Sequence, residues 1–300
     1  MPANIIEAYP RPVMFLAMCL FGLIGVLAAG VTLPSSVIVL GRAVIGTLFI
    51  LSVILVAGNR ISKENIRSNI KPLVLSGIFL GLNWLALFEA YKQTSVSVAT
   101  LCNYMAPAFI ILVSPVILKE RFTVTKLICV IISIIGLAFT SGIIQNGLNG
   151  SVNTFGIALG LAAAALYCGM VMCNKKLGEI GSCDRTLVQL AVSAVVVLIY
   201  CLFTVNFPSL TFTTEDIIRI IILGVVTTGF TFLIYFGSMA YLPAQTTAVY
   251  GYMEPVVTLF LSAVILGEQL GVYGWIGALL ILGSTLVGSL PEKEPESHPV

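Results

Sequence analysis

The sequence predicts an all-α polytopic membrane protein with ten transmembrane helices, built as two inverted five-helix repeats. Three observations predict it. Apolar residues make up 58% of the 300, and charged residues only 9%. Apolar runs near the length of a bilayer crossing recur along the whole chain. The phrase CNYMAPAFIILV at 102–113 returns as YGYMEPVVTLFL at 250–261, an offset of 148 residues.

Composition excludes a soluble domain. Such a domain carries roughly 25% charged residues, whereas this chain has a mean hydropathy of +1.07. Its net charge of +2 carries no dense basic patch, so a nucleic-acid partner is not expected. The seven cysteines show no CxxC or Cys/His spacing, so neither a disulfide framework nor a metal site is expected. The lone histidine, His298, falls in the polar tail.

A membrane helix needs about 20 mostly apolar residues. Segments near 12–32, 36–57, 71–91, 96–118, 124–142, 154–174, 186–205, 216–240, 244–266 and 271–290 qualify. The first is too long for a signal-peptide core and is read as a retained span. Short breaks with turn chemistry separate the runs, among them TLPSS, VNFPSL, YLPAQ and GEQLG. Period-2 alternation is missing, which argues against a β-barrel. With the N-terminus cytoplasmic, 12 of the 15 basic residues fall on the cytoplasmic side, all but Arg42, Lys92 and Arg219. The positive-inside rule then places both termini inside.

The repeat extends beyond the opening phrase. Pairs offset by 148 include Tyr104 and Tyr252, Pro107 and Pro255, Ser114 and Ser262, and Glu120 and Glu268. The expected units are 1–148 (spans 1–5), 149–290 (spans 6–10) and a polar cytoplasmic tail, 291–300. An odd number of spans per copy turns the second copy upside down. Inverted repeats are a feature of secondary transporters, with the substrate site near the midplane. A duplicated scaffold without transport is the competing reading.

Residues 90–120 (AYKQTSVSVATLCNYMAPAFIILVSPVILKE) and 238–268 (SMAYLPAQTTAVYGYMEPVVTLFLSAVILGE) resemble the two repeat signatures of EamA-type permeases in the drug/metabolite transporter superfamily. The resemblance covers essentially the whole chain. It implies a small-solute carrier of the bacterial plasma membrane, commonly an exporter. Amino acids are the first substrate class to consider, and drugs, sugars or lipid-linked compounds are the alternatives.

Glu254 is the leading candidate for a substrate or coupling residue. A carboxylate at a helix centre costs about 2.5–3.5 kcal/mol on insertion scales, so it faces a cavity or a partner. At helical spacing Thr247, Tyr250, Glu254 and Thr258 share a face, which is expected to wall an aqueous path. Pro255 lacks an N–H and leaves the carbonyl of Gly251 free, and Pro107 does the same for Asn103. Glu254 could bind a cation or exchange a proton. The alternative is a structural bond to a neighbouring helix.

In the first repeat Ala106 replaces the glutamate, and Asn103 and Tyr104 are the polar groups. Asn83 and Trp84 match Thr231 and Phe232 at the repeat offset. They are candidates for substrate contact, the indole through its face, or for helix–helix hydrogen bonding. Thr227, Thr231 and Tyr235 form a second stripe, and Tyr167 with Asn174 a third. Arg42 either attracts a substrate carboxylate or snorkels to the surface. Glu89 and Lys92 are expected to pair locally. Glu120 and Glu268 are expected to mark turns, capping the helix that follows. Spans 1, 3, 4, 6, 8 and 9 are expected to line the cavity.

An embedded enzyme would need clustered Asp, His or Ser groups, and a receptor a sizeable soluble domain. The sequence has neither, so no catalytic residue, cofactor or metal is expected. The expected partners are a small-molecule substrate, the lipid bilayer and, through Glu254, protons.

Overall fold

A computed structural model describes residues 2–58, 61–94, 96–121, 123–140, 144, 153–265 and 271–289. Glu268 and the 291–300 tail lie outside these residues. Every regular element among them is helical.

The helices run in order as α1 (Pro2–Ala8), α2 (Pro10–Ala29), α3 (Ser35–Val56), α4 (Lys63–Ser68), α5 (Ile70–Gln93), α6 (Val96–Asn103), α7 (Ala106–Ile117) and α8 (Val124–Thr140). There follow α9 (Thr154–Lys175), α10 (Ser182–Thr204), α11 (Thr214–Ile222), a π-helical turn (Leu223–Phe230), α12 (Thr231–Tyr241), α13 (Ala244–Tyr250), α14 (Met253–Ile265) and α15 (Val272–Ser289). Six stretches among the described residues are long and apolar enough to cross a membrane: 10–28, 35–56, 70–93, 154–175, 182–204 and 214–241. Three shorter helices are equally apolar, Ala106–Ile117, Val124–Phe139 and Val272–Gly288.

The runs at 96–118 and 244–266 are not single helices. Each breaks in two, at Tyr104–Met105 and at Gly251–Tyr252. The chain turns there through tighter i→i+3 bonds, Met105 N to Cys102 O at 3.1 Å and Gly251 N to Ala248 O at 3.1 Å. The prolines therefore sit in the first turn of α7 and α14, where a missing N–H costs nothing because that group has no helical partner.

Large apolar side chains face outward, Phe203 at 86% and Val116 at 81% exposure, while polar ones are enclosed. That inversion suits a lipid surround, where backbone groups must be satisfied internally. Inside, Asn174 donates to Ser76 Oγ at 2.7 Å and Gln189 Nε2 donates to Asn174 Oδ1 at 2.8 Å. Asn174 is thus bound into a helix–helix network and does not line the centre. Ser133 and Ser284 bond at 2.7 Å between α8 and α15.

Loop contacts define two ends of the bundle. At one end Ser62 N donates to Asp184 Oδ2 at 3.1 Å and Gly178 N to Asn69 Oδ1 at 2.8 Å. At the other, Asp216 accepts from Thr32 N at 2.9 Å and Thr32 Oγ1 at 3.0 Å, and forms a capping box with Thr213. Lys92 pairs with Glu89 at 2.6 Å at this second end, as the spacing suggested, and Tyr200 Oη also donates to Glu89.

Glu120 does not cap the helix that follows it. Its Oε1 accepts from Ala244 N at 2.8 Å, so it caps α13 in the other half of the chain. The same turn is held from its other side by Lys175, whose Nζ donates to Met239 O at 2.6 Å and to Leu242 O. A carboxylate on helix amides and an ammonium on helix carbonyls both complement the helix dipoles. Glu120→Ala is expected to lower thermal stability by about 1 kcal/mol, the usual worth of a cap, measured by heat denaturation in detergent.

Candidate functional site

Glu254 lies in the first turn of α14, half-buried. The positive end of that short helix favours its charge. Five groups lie within electrostatic reach of the carboxylate. They are Arg42 from α3, Tyr91 from α5, Tyr104 between α6 and α7, Tyr167 from α9 and Tyr235 from α12. Side chains far apart in sequence thus converge on one polar centre.

Two close helix crossings hold the charged pair in place. Beside Glu254, a Cβ on Gly22 would stand 2.7 Å from Val257 Cβ and 3.1 Å from Glu254 O. Thr258 Oγ1 crosses the same gap to Gly22 O at 3.1 Å. Beside Arg42, α3 meets the π-helical turn. A Cβ on Gly224 would lie 2.5 Å from Ile45 Cβ, and one on Gly46 3.2 Å from Gly224 O. Small residues permit this backbone approach.

Arg42 is 7% exposed and does not snorkel to the surface. Its guanidinium lies 4.7 Å from the Trp84 ring centroid, a cation–π contact. Among the described residues its Nε finds no hydrogen-bond partner. Buried donors carry a partner in the great majority of cases, and Arg185 Nε is unpaired in the same way. Around the pair stands an aromatic group. Phe21 meets Phe232 at 4.9 Å and Tyr235 at 5.6 Å, and Trp84 meets Phe232 at 5.9 Å, all edge-on. The Tyr167 and Tyr235 hydroxyls bond at 2.5 Å.

Residues related by the 148 offset touch each other here. Trp84 against Phe232 is one such pair. Tyr104 and Tyr252 are another, stacked at 6.3 Å, with Tyr252 Oη donating to Tyr104 O at 3.0 Å. Equivalent residues in contact with their own mates mark the vicinity of a two-fold axis. Tyr252→Phe removes one net hydrogen bond from this junction, so a stability loss of about 1 kcal/mol is expected on heat denaturation.

Several expected contacts turn out differently. Thr247, Tyr250, Glu254 and Thr258 do not form a continuous wall, because the helix breaks between Tyr250 and Glu254. Thr247 Oγ1 donates to Pro243 O at 3.2 Å, and Tyr250 is buried in the apolar core. Thr231 Oγ1 donates to Val226 O at 2.8 Å, satisfying the π-helical turn, and Thr227 Oγ1 donates to Leu223 O at 2.9 Å. Asn83 Nδ2 donates to Ala163 O at 2.8 Å and to Asn103 Oδ1 at 3.2 Å, so both asparagines join helices. Span 2, left out of the expected lining, contributes Arg42. Sequence reasoning also passed over Phe21 and Tyr91.

A bundle of apolar helices with a half-buried carboxylate at Glu254, a buried guanidinium at Arg42 and two broken helices fits the class of membrane transporters. The chain belongs to the EamA-like transporter family, whose profile matches it twice, over residues 12–142 and 154–290. An uncharacterized transporter of Bacillus subtilis (strain 168), YxxF, is 25% identical over 273 residues, covering 89% of this chain and 85% of that protein. YoaV of the same organism, also an uncharacterized transporter, is 25% identical over 80% of this chain and 82% of that protein. A solved crystal structure shares the fold with a TM-score of 0.79 at 19% identity, covering 93% of this chain and 97% of that one. The protein is therefore an integral membrane transporter of the drug/metabolite superfamily, with a small-molecule substrate.

Proposed function

We propose that this transporter is a secondary carrier that exports an amino acid or a similar small amphipathic metabolite by alternating access. The observation that carries the reading is Glu254 and Arg42 facing one aromatic centre from opposite halves of the chain. A zwitterion fits such a pair. Its ammonium goes to Glu254, its carboxylate to the guanidinium of Arg42. The side chain meets Trp84, Phe232 and Phe21. If transport is proton-linked, Glu254 is the carrier of the proton.

The reading includes ten spans, both termini cytoplasmic and insertion in the bacterial plasma membrane. It takes 1–148 and 149–290 as inverted repeats that rock against each other, with 291–300 as the tail. The double family match and the touching repeat mates support the inversion. Lys63, Arg67, Lys119, Arg121, Lys175, Lys176 and Arg185 flank the loops at one end, which supports the orientation. Outward direction rests on the family resemblance.

The test is overproduction in cells followed by a screen for resistance to, and release of, a metabolite panel, with Glu254→Gln as the control. Release of an amino-acid-like compound that the variant abolishes is the expected result. Release undiminished in the variant would overturn the role given to Glu254.

A further inference from the structure

Away from the polar centre, a cavity of about 440 Å³ lies between α5, α7 and α9. Phe79 forms one wall, Phe109, Val113 and Ile117 the second, and Met172 with Gly169 the third. Lys176 stands at its end. On α9 the lining positions Ala165, Gly169, Met172 and Lys176 fall about half a turn from Tyr167. Tyr167 faces Tyr235 and the centre, so the cavity faces the opposite way. Ala165 and Ile117 are exposed, which opens it on the flank of the bundle. Gly169 forms its floor, since a Cβ there would stand 2.8 Å from the Phe79 ring.

The chemistry of this recess is apolar along its length and cationic at one end. Lys176 is exposed, and no carboxylate pairs with it among the described residues. Its neighbour Lys175 turns inward onto Met239 and Leu242 carbonyls. Lys176 thus stands free at the end of a membrane helix, where a headgroup phosphate lies. The volume admits roughly 15 groups of the size of a water molecule, which suits a stretch of acyl chain. A narrow recess does not suit a second protein copy, which needs a broad patch of about 800 Å² per partner.

We propose that this groove holds one acyl chain of an anionic phospholipid from the leaflet at the Lys176 end, with the lipid phosphate on the Lys176 ammonium. The site is separate from the substrate centre and gives the transporter a preference for anionic membranes.

The test is native mass spectrometry of the full-length purified protein with phosphatidylglycerol or phosphatidylcholine added. Wild type is expected to retain one phosphatidylglycerol with about a fivefold preference over phosphatidylcholine, the effect of one lysine near an anionic headgroup. Lys176→Gln is expected to lose the preference, and Gly169→Leu, which fills the groove, to retain neither lipid. A second readout does not depend on Gly169→Leu folding. Cys173 lines the groove, and phosphatidylglycerol is expected to slow its alkylation by an apolar maleimide in wild type but not in Lys176→Gln. Equal retention of the two lipids by wild type, or an unchanged preference in Lys176→Gln, would overturn the proposal. So would a lipid-free dimer that Gly169→Leu dissociates, which would assign the groove to a second copy.

Discussion

Glu254→Gln is expected to lower transport by about 30-fold or more at subsaturating substrate, with the fold intact. Removing one charge from a buried, directional charge contact costs about 2 kcal/mol or more, which is a factor of about 30. Glutamine keeps the shape of the side chain and its place in the first turn of α14, so heat denaturation should move little. Arg42→Gln is expected to produce a loss of similar size through the other end of the substrate. Des-amino analogues separate the two. Glu254→Gln should cost nothing further on a substrate without the ammonium, whereas Arg42→Gln should still cost its full amount. Initial rates of efflux from loaded vesicles read both effects.

Gly224→Val is expected to give the largest loss of stability among single substitutions near the centre. The first added carbon would already overlap Ile45, at 2.5 Å from its Cβ. Both atoms lie on or next to backbone, so neither swings aside. Overpacking of this kind costs about 1–3 kcal/mol. The same site stands 3.5 Å from the carbonyl of Arg42, so relief of the clash would displace the residue that stacks on Trp84. Transport should fall together with the denaturation temperature. Gly283→Val offers the contrast. Among the described residues no atom beyond its chain neighbours and its own helix backbone lies within 4 Å of a Cβ there, and little change is expected. Heat denaturation in detergent, followed by the loss of monodisperse protein, distinguishes the two.

The helical class, the apolar runs and the 148 offset could all be read from the chain, because hydrophobic length and self-similarity are linear properties. Glu254 could be read for the same reason, a lone carboxylate in an apolar run. The helix breaks were only half visible. Pro107 and Pro255 point to them, but the break falls at Tyr104–Met105 and Gly251–Tyr252, since proline fits the first turn of a new helix better than the middle of an old one. That shift disrupts the threonine stripe, which assumed unbroken helical spacing. Thr231 and Thr258 show a second limit. A threonine in an apolar helix can satisfy its hydroxyl on its own backbone, as both do, and composition does not distinguish that from a place on a cavity wall.

Arg42 was ambiguous for a related reason. Two turns from a helix end, its side chain can reach either water or the interior. The choice was made by Trp84 and by the packing of Gly46 on Gly224, neither of them local in sequence. Glu120 does mark a turn, but the helix it caps is not visible locally, because its partner, the amide of Ala244, lies 124 residues away. Contacts across the two halves are set by the way the halves face each other, which no short window contains.

The central claim is that substrate binds between Glu254 and Arg42. Its most direct test is efflux from liposomes containing the purified protein and loaded with a panel of amino acids and related metabolites, at several pH values. Wild-type protein is expected to move at least one zwitterionic compound, and Glu254→Gln to lose that transport at every pH. Transport by Glu254→Gln equal to wild type across the pH range would contradict the account.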